Sequence, residues 1–355
     1  MEKPFFSLVM TVYNCAPYVE EALRSMLSQD YDGKMEFIVV DDASTDGSLD
    51  VIRRVAAESS QDVRIIPLTE NVGVAGATEA GWSVAQGDWI IMVDGDDIQM
   101  PDRCAKTARI LEHHSGLGMI CMAAFLIDSQ GKQYGQLGYG GQPYEDAQDE
   151  LLLDTASARC SNMCAVGWDH RIAGFGCAMA ISRQIVKRWG AMWVDGVSSE
   201  RYAQDPTWEL RAILSAPILG SREYACQYRS HANNLLNRTL QSTGQRWMRE
   251  HELFMCRHLA FEAASYRQML RDVQRAMTDN RLTDWSQQEL STLYGELSRQ
   301  LASREMGANW WSLTWLERIY RAFRYRNQVS GNFRTWAWWR LLPLSVFCWL
   351  KSLKR

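Results

Sequence analysis

The chain has 355 residues, of which 46% are hydrophobic, and its formal net charge is −4. This composition excludes a disordered chain as the main state, and the length suits one large α/β domain with a smaller appendage. The nine cysteines are irregularly spaced and form no Cys-x-x-Cys pair, which argues against a zinc site or a disulfide framework and is consistent with a reducing cytosol.

The first hundred residues alternate between strand and helix patterns. Apolar runs predict strands over residues 6–14, 36–42, 63–68 and 89–93, and helical spacing predicts helices over 20–29, 48–58 and 74–85. Such alternation indicates a parallel sheet with helices on both faces, and ligands of these sheets bind beyond the carboxyl ends of the strands. That rule gathers seven polar residues at one edge: Thr11, Tyr13, Asp41, Asp42, Asp94, Asp96 and Asp97.

The most acidic part of this edge is Asp94-Gly95-Asp96-Asp97, which follows the fourth predicted strand directly. Carboxylates this close repel one another unless a cation offsets their charge, and oxygen ligands at a strand end suit Mg²⁺ or Mn²⁺ carrying phosphate oxygens. The alternative is an acidic turn that caps the next helix.

Four motifs, taken in order and spacing, resemble the inverting, nucleotide-sugar-dependent glycosyltransferases of family 2. They are residues 9–14 (Val-Met-Thr-Val-Tyr-Asn), 39–47 (Val-Val-Asp-Asp-Ala-Ser-Thr-Asp-Gly), 71–73 (Asn-Val-Gly), and 94–97 followed by Met100-Pro101-Asp102. The resemblance covers residues 5–103 and continues more weakly to about residue 231. It implies the GT-A fold, an α/β architecture with a Rossmann-like, mostly parallel central sheet flanked by helices, here with a helical C-terminal extension.

The resemblance implies a nucleotide site at the ends of the first two strands. Thr11 and Tyr13 would border the base and ribose, Asp42 would accept a hydrogen bond from the ring N–H of the base, and Asp41 would hold the loop or the ribose. Ordinary strand-end packing is the alternative for Thr11 and Tyr13.

It also implies a metal site beside the nucleotide. Asp94 and Asp96 would form the DXD pair, with Asp94 contacting the ribose or a metal-bound water and Asp96 ligating the Mn²⁺ or Mg²⁺ that bridges the two phosphates; Asp97 is the third choice. Residues 228–231 (Tyr-Arg-Ser-His) resemble the segment where the family's core ends, so His231 would touch the metal or the diphosphate and Arg229 a phosphate. A structural role is the alternative for a lone histidine.

The acceptor hydroxyl must lose its proton as it attacks, and an aspartate or glutamate is the usual base. The resemblance points to Asp205, although Gln204 replaces the family's preceding glutamate. Because Asp205 precedes Pro206, a helix cap is the alternative. Asp195 and Glu200 are the other candidates for the base.

The C-terminal part has a different composition. Residues 304–355 hold ten basic and two acidic residues, a net charge of +8 that leaves −12 for residues 1–303, and they contain seven of the fifteen tryptophans. Basic residues with aromatic ones are typical of surfaces that lie on anionic lipid. The longest apolar run, residues 341–350, is far shorter than the roughly 20 residues that span a bilayer. Packing on protein and nucleic-acid binding are the alternatives, and the acidic body argues against nucleic acid.

Three segments are therefore predicted: a catalytic domain over residues 1–240, a helical connector over 241–303 and a membrane-interfacial tail over 304–355. We expect no signal peptide before Phe5 and a cytoplasmic protein, peripheral at the inner face of the cell membrane. The predicted function is metal-dependent transfer of a sugar from a UDP- or GDP-sugar to a saccharide or lipid-linked acceptor in cell-surface polysaccharide, lipopolysaccharide or glycolipid synthesis. The alternatives are an inactive carbohydrate-binding or scaffold protein of this fold and a nucleotidyltransferase, although residues 11–17 lack a basic phosphate-gripping loop.

Overall fold

The structure is a computed structural model, and it describes residues 2–139, 144–164, 176–190, 204–231, 244–279 and 284–325, together with residues 328, 340, 341 and 344. Contacts divide the chain into two compact units. The first unit comprises Met1–Arg229 and Asp279–Glu289, and the second comprises Ser230–Thr278 and Leu290–Arg355. The division into a catalytic domain, a helical connector and a membrane-interfacial tail stays a prediction.

The N-terminal half of the first unit alternates between strands and helices. These elements are β1 (Phe6–Val12), α1 (Val19–Leu27), β2 (Met35–Asp41), α2 (Ser48–Glu58), β3 (Val63–Pro67), α3 (Gly73–Val84) and β4 (Trp89–Asp94). Each lies within two residues of the range that the sequence predicts. Local hydrophobic periodicity therefore determines this half of the fold.

The rest of the first unit adds six strands and four helices among the described residues. They are β5 (Ile98–Gln99), α4 (Arg103–His113), β6 (Met119–Ile127), β7 (Gln133–Leu137), β8 (Glu150–Leu153), α5 (Ala156–Met163), β9 (Met179–Ser182), α6 (Arg183–Trp189), α7 (Gln204–Ser215) and β10 (Ile218–Arg229).

The ten described strands form one sheet in the order β3-β2-β1-β4-β9-β6-β10-β5, with β7 paired to β6 and β8 paired to β10. Neighbours from β3 to β4 are parallel, as are β6 and β10. Strand β9 runs antiparallel between β4 and β6. The predicted α/β architecture with a mostly parallel central sheet is confirmed.

Both faces of the central strands are buried, which explains why their sequences are almost continuously apolar. Leu8 and Met10 belong to a core cluster that includes the buried side chains of α1. On the opposite face α3 packs against β1 and β2. A Cβ atom at Gly81 of this helix would meet Val9 and Val40, so the glycine allows α3 to lie close to the sheet.

The second unit is helical where it is described. It contains α8 (Gly244–Thr278), most of α9 (Gln287–Gly307), a 3₁₀ turn at Trp310–Ser312, and α10 (Trp315–Tyr325). A small core holds part of it together: Ala302, Met306, Trp310 and Ala322. The predicted helical C-terminal extension is confirmed.

Within the described ranges, no helix is both long enough and apolar enough to cross a bilayer. Four tryptophans of the predicted tail lie outside those ranges: Trp336, Trp338, Trp339 and Trp349.

Candidate active site

The carboxyl ends of β1, β2 and β4 meet at one edge of the sheet. In the parallel ladders Thr11 is the partner of Asp94, and Val12 is the partner of Asp41. Tyr13 follows β1 and is 39% exposed. The structure therefore brings together the strand-end residues that the sequence places at this edge, while their contacts with a nucleotide stay predictions.

Gly95 lets the acidic turn after β4 approach the end of β1. Its N–H donates a hydrogen bond to the Thr11 carbonyl at 3.0 Å. A Cβ atom at Gly95 would lie 2.8 Å from Cγ2 of Val12 and 3.1 Å from the Thr11 oxygen. Any larger residue here would push Asp94 and Asp96 away from β1.

Asp42 has a structural role that sequence reasoning did not anticipate. Its buried carboxylate accepts hydrogen bonds from the N–H groups of Val72 at 2.8 Å and Gly73 at 2.9 Å. The side-chain amide of Asn71 donates a third bond at 2.9 Å. A carboxylate suits this place because it satisfies N–H groups at the start of α3 that lack helical partners. Its contact with a base stays a prediction.

Asp41 stabilises the loop after β2 through one oxygen. Its Oδ2 accepts a hydrogen bond from the Ser44 N–H at 3.1 Å, whereas its buried Oδ1 has no hydrogen-bond partner among the described residues. The same loop is tied to the end of β1, because Oδ1 of Asn14 accepts from the Thr45 N–H at 2.8 Å.

Asp94 and Asp97 lie in surroundings that oppose ionisation. Burial, and then the charges of Asp96 and Asp205, raise the pKa of Asp94 to about 8, although the Arg103 guanidinium opposes the shift. Burial, and then the charge of Asp96, raise the pKa of Asp97 well above its usual range. Bringing these carboxylates together has a cost that a cation would offset.

One oxygen of Asp97 has a partner and the other does not. Asp97 is fully buried, and its Oδ1 accepts a hydrogen bond from the Arg229 N–H at 2.8 Å. Within the described part of the chain, no group donates to its Oδ2. Carboxylate oxygens of Asp94 and Asp97 and the Sγ of Cys177 all lie within 4.8 Å of one another, which makes them a possible cation-binding group.

Cys177 was not identified from the sequence. It lies in the 3₁₀ turn before β9, some eighty residues beyond the acidic turn, and its Sγ is 3.5 Å from that of Cys226. Only the order of strands in the sheet brings this turn beside β4. Asp96 is half-buried and does not belong to the group of three. Its role as a metal ligand therefore stays a prediction.

Arg229 is held by protein groups, and its predicted contact with a phosphate stays a prediction. Its guanidinium is 2% exposed, donates from Nε to the Asp96 carbonyl at 2.9 Å and forms an ion pair with Glu21 at 2.6 Å. It lies over the ring of Tyr18 at 5.0 Å. The residue therefore holds the acidic turn against α1.

Arg103 is a second buried cation beneath the turn. It is fully buried, and its Nη1 and Nη2 donate to the carbonyls of Met92 and Met179, each at 3.0 Å. It therefore links β4 to β9 and supplies positive charge near Asp94. The sequence offered only an arginine at the start of a helix, a position from which this role cannot be read.

Asp205 lies in the first turn of α7, which begins at Gln204, so it is inside the helix and not at its cap. Its Oδ2 accepts a hydrogen bond from the Gly176 N–H at 3.2 Å. A Cβ atom at Gly176 would lie 3.0 Å from Oδ1, so glycine is needed for this approach. Because its charge raises the pKa of Asp94, Asp205 belongs to the same site.

Glu209 follows Asp205 by one helical turn and is 5% exposed. Burial, and then the charge of Asp205, raise the pKa of Glu209 well above its usual range. Its Oε1 has no hydrogen-bond partner among the described residues. The spacing of four residues between the two acids was the signal for this neighbour, and sequence reasoning missed it.

The other predicted site residues lie beyond this group. His231 is half-buried two residues after the end of β10 and belongs to the second unit, so its contact with a metal or diphosphate stays a prediction. The alternative bases Asp195 and Glu200 lie outside the described residues.

A family model decides the relationship that the motifs indicate: residues 7–165 match "Glycosyl transferase family 2". These residues, a little under half of the chain, form a family 2 glycosyltransferase domain. The matched range contains β1 to β4 and the acidic turn. The family 2 domain therefore includes every predicted nucleotide and metal residue except His231.

Two curated relatives illustrate the similarity to this family. The putative glycosyltransferase EpsE of Bacillus subtilis is 37% identical over 127 residues, which cover 34% of this chain and 45% of EpsE. The UDP-Glc:alpha-D-GlcNAc-diphosphoundecaprenol beta-1,3-glucosyltransferase WfaP of Escherichia coli is 32% identical over 108 residues, which cover 30% of this chain and 41% of WfaP. In both cases the match spans less than half of the relative's length.

Two solved structures share the fold over most of the chain. TarS 1–349 of S. aureus in complex with UDP superposes with a TM-score of 0.51 at 17% identity, covering 94% of this chain and 90% of that one. The mannosyltransferase PcManGT of Pyrobaculum calidifontis, in complex with GDP-Man and Mn²⁺, gives a TM-score of 0.50 at 17% identity, covering 99% and 88%. The predicted GT-A fold is confirmed.

The residues of this site fit a divalent cation. No group in the described part of the chain donates to Oδ2 of Asp97, and the raised pKa values of Asp94 and Asp97 mean that the protein alone does not stabilise both carboxylates in their charged form. The thiol of Cys177 departs from the all-oxygen ligand set that the sequence predicts. The hydrogen bond with Cys226, and then burial, raise the pKa of the Cys177 thiol well above its usual range, so it stays protonated and is a poor metal ligand. The carboxylates are the suitable donors, and they suit Mn²⁺ or Mg²⁺.

Proposed function

We propose that this chain is an inverting, metal-dependent glycosyltransferase that moves a sugar from a UDP- or GDP-sugar to an acceptor hydroxyl. The family 2 domain supports the reaction class, and the complexes of TarS with UDP and of PcManGT with GDP-Man support a nucleoside-diphosphate donor. The donor would lie across the carboxyl ends of β1, β2 and β4, where ligands of open α/β sheets bind.

The observation that carries the proposal is the cluster of acids at the end of β4. Asp94 and Asp97 are close to one another, and Asp205 is near enough for its charge to raise the pKa of Asp94. The raised pKa values of Asp94 and Asp97 favour their protonated forms, and in their ionised forms these acids would repel a diphosphate. A divalent cation between the acids and the phosphates offsets both charges.

Mn²⁺ or Mg²⁺ would be held by Asp96 and Asp94, with Asp97 beneath them and His231 as a further ligand. When bound, the ion stabilises the negative charge that develops on the diphosphate leaving group. Arg103 and Arg229 fix the turn that presents these acids, because both donate to backbone carbonyls in or beside it.

Asp205 is the proposed general base. The Gly176 N–H holds one of its oxygens at 3.2 Å, which fixes the carboxylate so that it can take the proton of the acceptor hydroxyl. Direct attack by that hydroxyl on the face opposite the diphosphate inverts the anomeric centre. Glu209, whose pKa burial holds high, stays neutral behind Asp205 and adds no second negative charge.

The proposed acceptor is a saccharide or a lipid-linked saccharide in cell-surface polysaccharide synthesis. WfaP, whose name specifies a diphosphoundecaprenol-linked acceptor, supports this class. A lipid-linked acceptor fits a location at the cytoplasmic face of the membrane, with the basic C-terminal part against the lipid.

The test compares Asp205→Asn with wild type. Isothermal titration with UDP or GDP and Mn²⁺ measures donor-site affinity, and release of nucleoside diphosphate from UDP-Glc, UDP-GlcNAc and GDP-Man in the presence of alkyl glycosides measures transfer. We expect an unchanged affinity and a turnover lower by about a thousandfold, since a positioned base contributes roughly 10²–10⁴.

The control is Asp149→Asn, because the Asp149 side chain is 95% exposed and pairs only with a surface arginine. It should turn over at the wild-type rate. Wild-type turnover in Asp205→Asn would exclude Asp205 as the base and point to Asp195 or Glu200. Failure of the wild type to release diphosphate from any donor would contradict the transfer reaction itself.

A further inference from the structure

Helix α10 of the second unit exposes an apolar face. Seven large hydrophobic side chains are exposed in the described part of the chain, and four of them belong to this helix: Trp315 at 59%, Leu316 at 72%, Tyr320 at 63% and Phe323 at 48%. Together with half-buried Ile319 they cover an arc of about 140° at 100° per residue. Such a face is much larger than scattered surface hydrophobics would give.

The opposite face of α10 is fixed to the rest of the second unit. Nη1 of Arg321 donates to the carbonyls of Glu305 at 2.9 Å and Ala308 at 2.7 Å. The Tyr325 hydroxyl donates to Glu305 at 3.0 Å, and Ala322 packs in the small core. These contacts fix the rotation of the helix about its own axis. The apolar face is therefore exposed because of the fold, and not because the end of the helix has frayed.

The charge around this face favours an anionic lipid surface over a second protein core. Arg324 is exposed beside the apolar arc. The following residues, 326–355, contain six basic residues, no acidic residue and four more tryptophans. Basic side chains near the surface attract anionic headgroups, and tryptophan and tyrosine prefer the headgroup region.

The geometry excludes a span by this helix. An 11-residue helix is about 16 Å long, roughly half the hydrocarbon thickness of a bilayer. An amphipathic helix of this kind lies in the plane of the interface, with its apolar face at the boundary between headgroups and acyl chains.

We propose that the face formed by Trp315, Leu316, Ile319, Tyr320 and Phe323 docks on a membrane that contains anionic lipid. The proposal assigns particular residues to the lipid-facing surface of the proposed glycosyltransferase. Only the purpose of lipid binding, which is access to a lipid-linked acceptor, rests on the proposed function. Binding to lipid itself requires neither donor nor metal.

The test is co-sedimentation of the full chain with vesicles of phosphatidylcholine alone or with 30% phosphatidylglycerol. Wild type should sediment with the anionic vesicles and stay in the supernatant with the neutral ones. Leu316→Glu/Tyr320→Glu should lower the apparent affinity for anionic vesicles by at least tenfold. Tyr134→Glu is the matched control, because Tyr134 is similarly exposed at 58% but lies on β7, and it should bind as wild type does.

The proposal would be overturned if wild-type protein did not sediment with anionic vesicles, or if the double variant sedimented as well as wild type. It would also be overturned if light scattering showed a wild-type dimer that the double variant converts to monomer, because a second copy of the chain would then occupy this face. Leu316→Ser/Phe323→Ser, which adds no charge, should show the same loss if the glutamate variant does not fold. A variant designed to lose lipid binding should still bind nucleotide in the presence of Mn²⁺. This measurement separates a failure of the lipid-binding proposal from a failure of the proposed reaction.

Discussion

Two pairs of aspartates lie at the ends of the two strands that flank β1, namely β2 and β4, and their surroundings are opposite. After β2, Asp42 accepts hydrogen bonds from Asn71, Val72 and Gly73. After β4, Asp94 and Asp97 repel each other, and the one backbone N–H that the described structure directs at Asp97 comes from Arg229. The start of a helix stabilises the charge of Asp42, whereas the acids after β4 are left for a cation.

The comparison shows that one residue type at one position of a parallel sheet serves two purposes. Donors around Asp42 hold α3 and its loop in place. The acids after β4 instead carry unfavourable electrostatic energy in the folded chain, which a bound ion converts into binding energy. Sites that perform chemistry commonly contain such destabilised groups.

Asp96→Ala should have the largest effect on the acids after β4. Removing the half-buried acid that is proposed to ligate the ion should weaken Mn²⁺-dependent binding of UDP or GDP by about a hundredfold or more, roughly 2.7 kcal/mol. Isothermal titration checks this. Asp50→Ala, at a site where the side chain is 85% exposed, should leave affinity unchanged, and wild-type affinity in Asp96→Ala would contradict the metal assignment.

The same substitution at the two strand ends should have different effects on stability. Asp42→Asn replaces one acceptor oxygen by an NH₂ group that faces N–H donors, so we expect a loss of about 2–3 kcal/mol in the free energy of unfolding. Asp97→Asn keeps an oxygen for the Arg229 N–H and replaces a buried carboxyl whose raised pKa already favours the neutral form, so metal-free protein should lose less than about 0.5 kcal/mol. Urea unfolding measures both, and equal losses would contradict the comparison.

The stability of metal-free protein should fall as the pH rises. The pKa of Asp94 is raised from 3.8 to about 8 in the folded chain, so between these values the folded chain keeps a proton that the unfolded chain has released. The stabilisation is complete below about pH 4 and is lost as the pH passes through about 8. From pH 6 to pH 8 we expect a loss of about 1–2 kcal/mol.

Urea unfolding at a series of pH values, with chelator present, measures this loss. Asp94→Asn should reduce the dependence because it removes one titrating group, while Asp97 and Glu209, whose pKa values are also raised, keep the remainder. An unchanged slope in that variant would assign the effect to another residue.

The sequence predicts the half of the site that lies in local patterns. Apolar runs that end in polar residues locate Thr11, Asp41 and Asp94 because each strand is a continuous segment with its own periodicity. Parallel pairing then requires their ends to coincide. No long-range information is needed for this part.

The other half depends on which strands become neighbours, and periodicity does not encode that. Cys177 and Arg103 reach the site because β9 inserts antiparallel beside β4. The ion pair of Arg229 with Glu21, 208 residues away on α1, also could not be predicted from local patterns. Tertiary contacts of this kind decide whether an arginine faces a ligand or supports a turn.

The most direct test of the account is a thermal-shift measurement of the full chain with UDP, GDP, CDP and TDP, each with and without Mn²⁺. A ligand that binds only the folded state raises its apparent stability. The account predicts that at least one of UDP and GDP raises the melting temperature, and only when Mn²⁺ is present. A shift of the same size without metal, or no shift with any of the eight combinations, would contradict the claim that the acids after β4 bind a diphosphate through a cation.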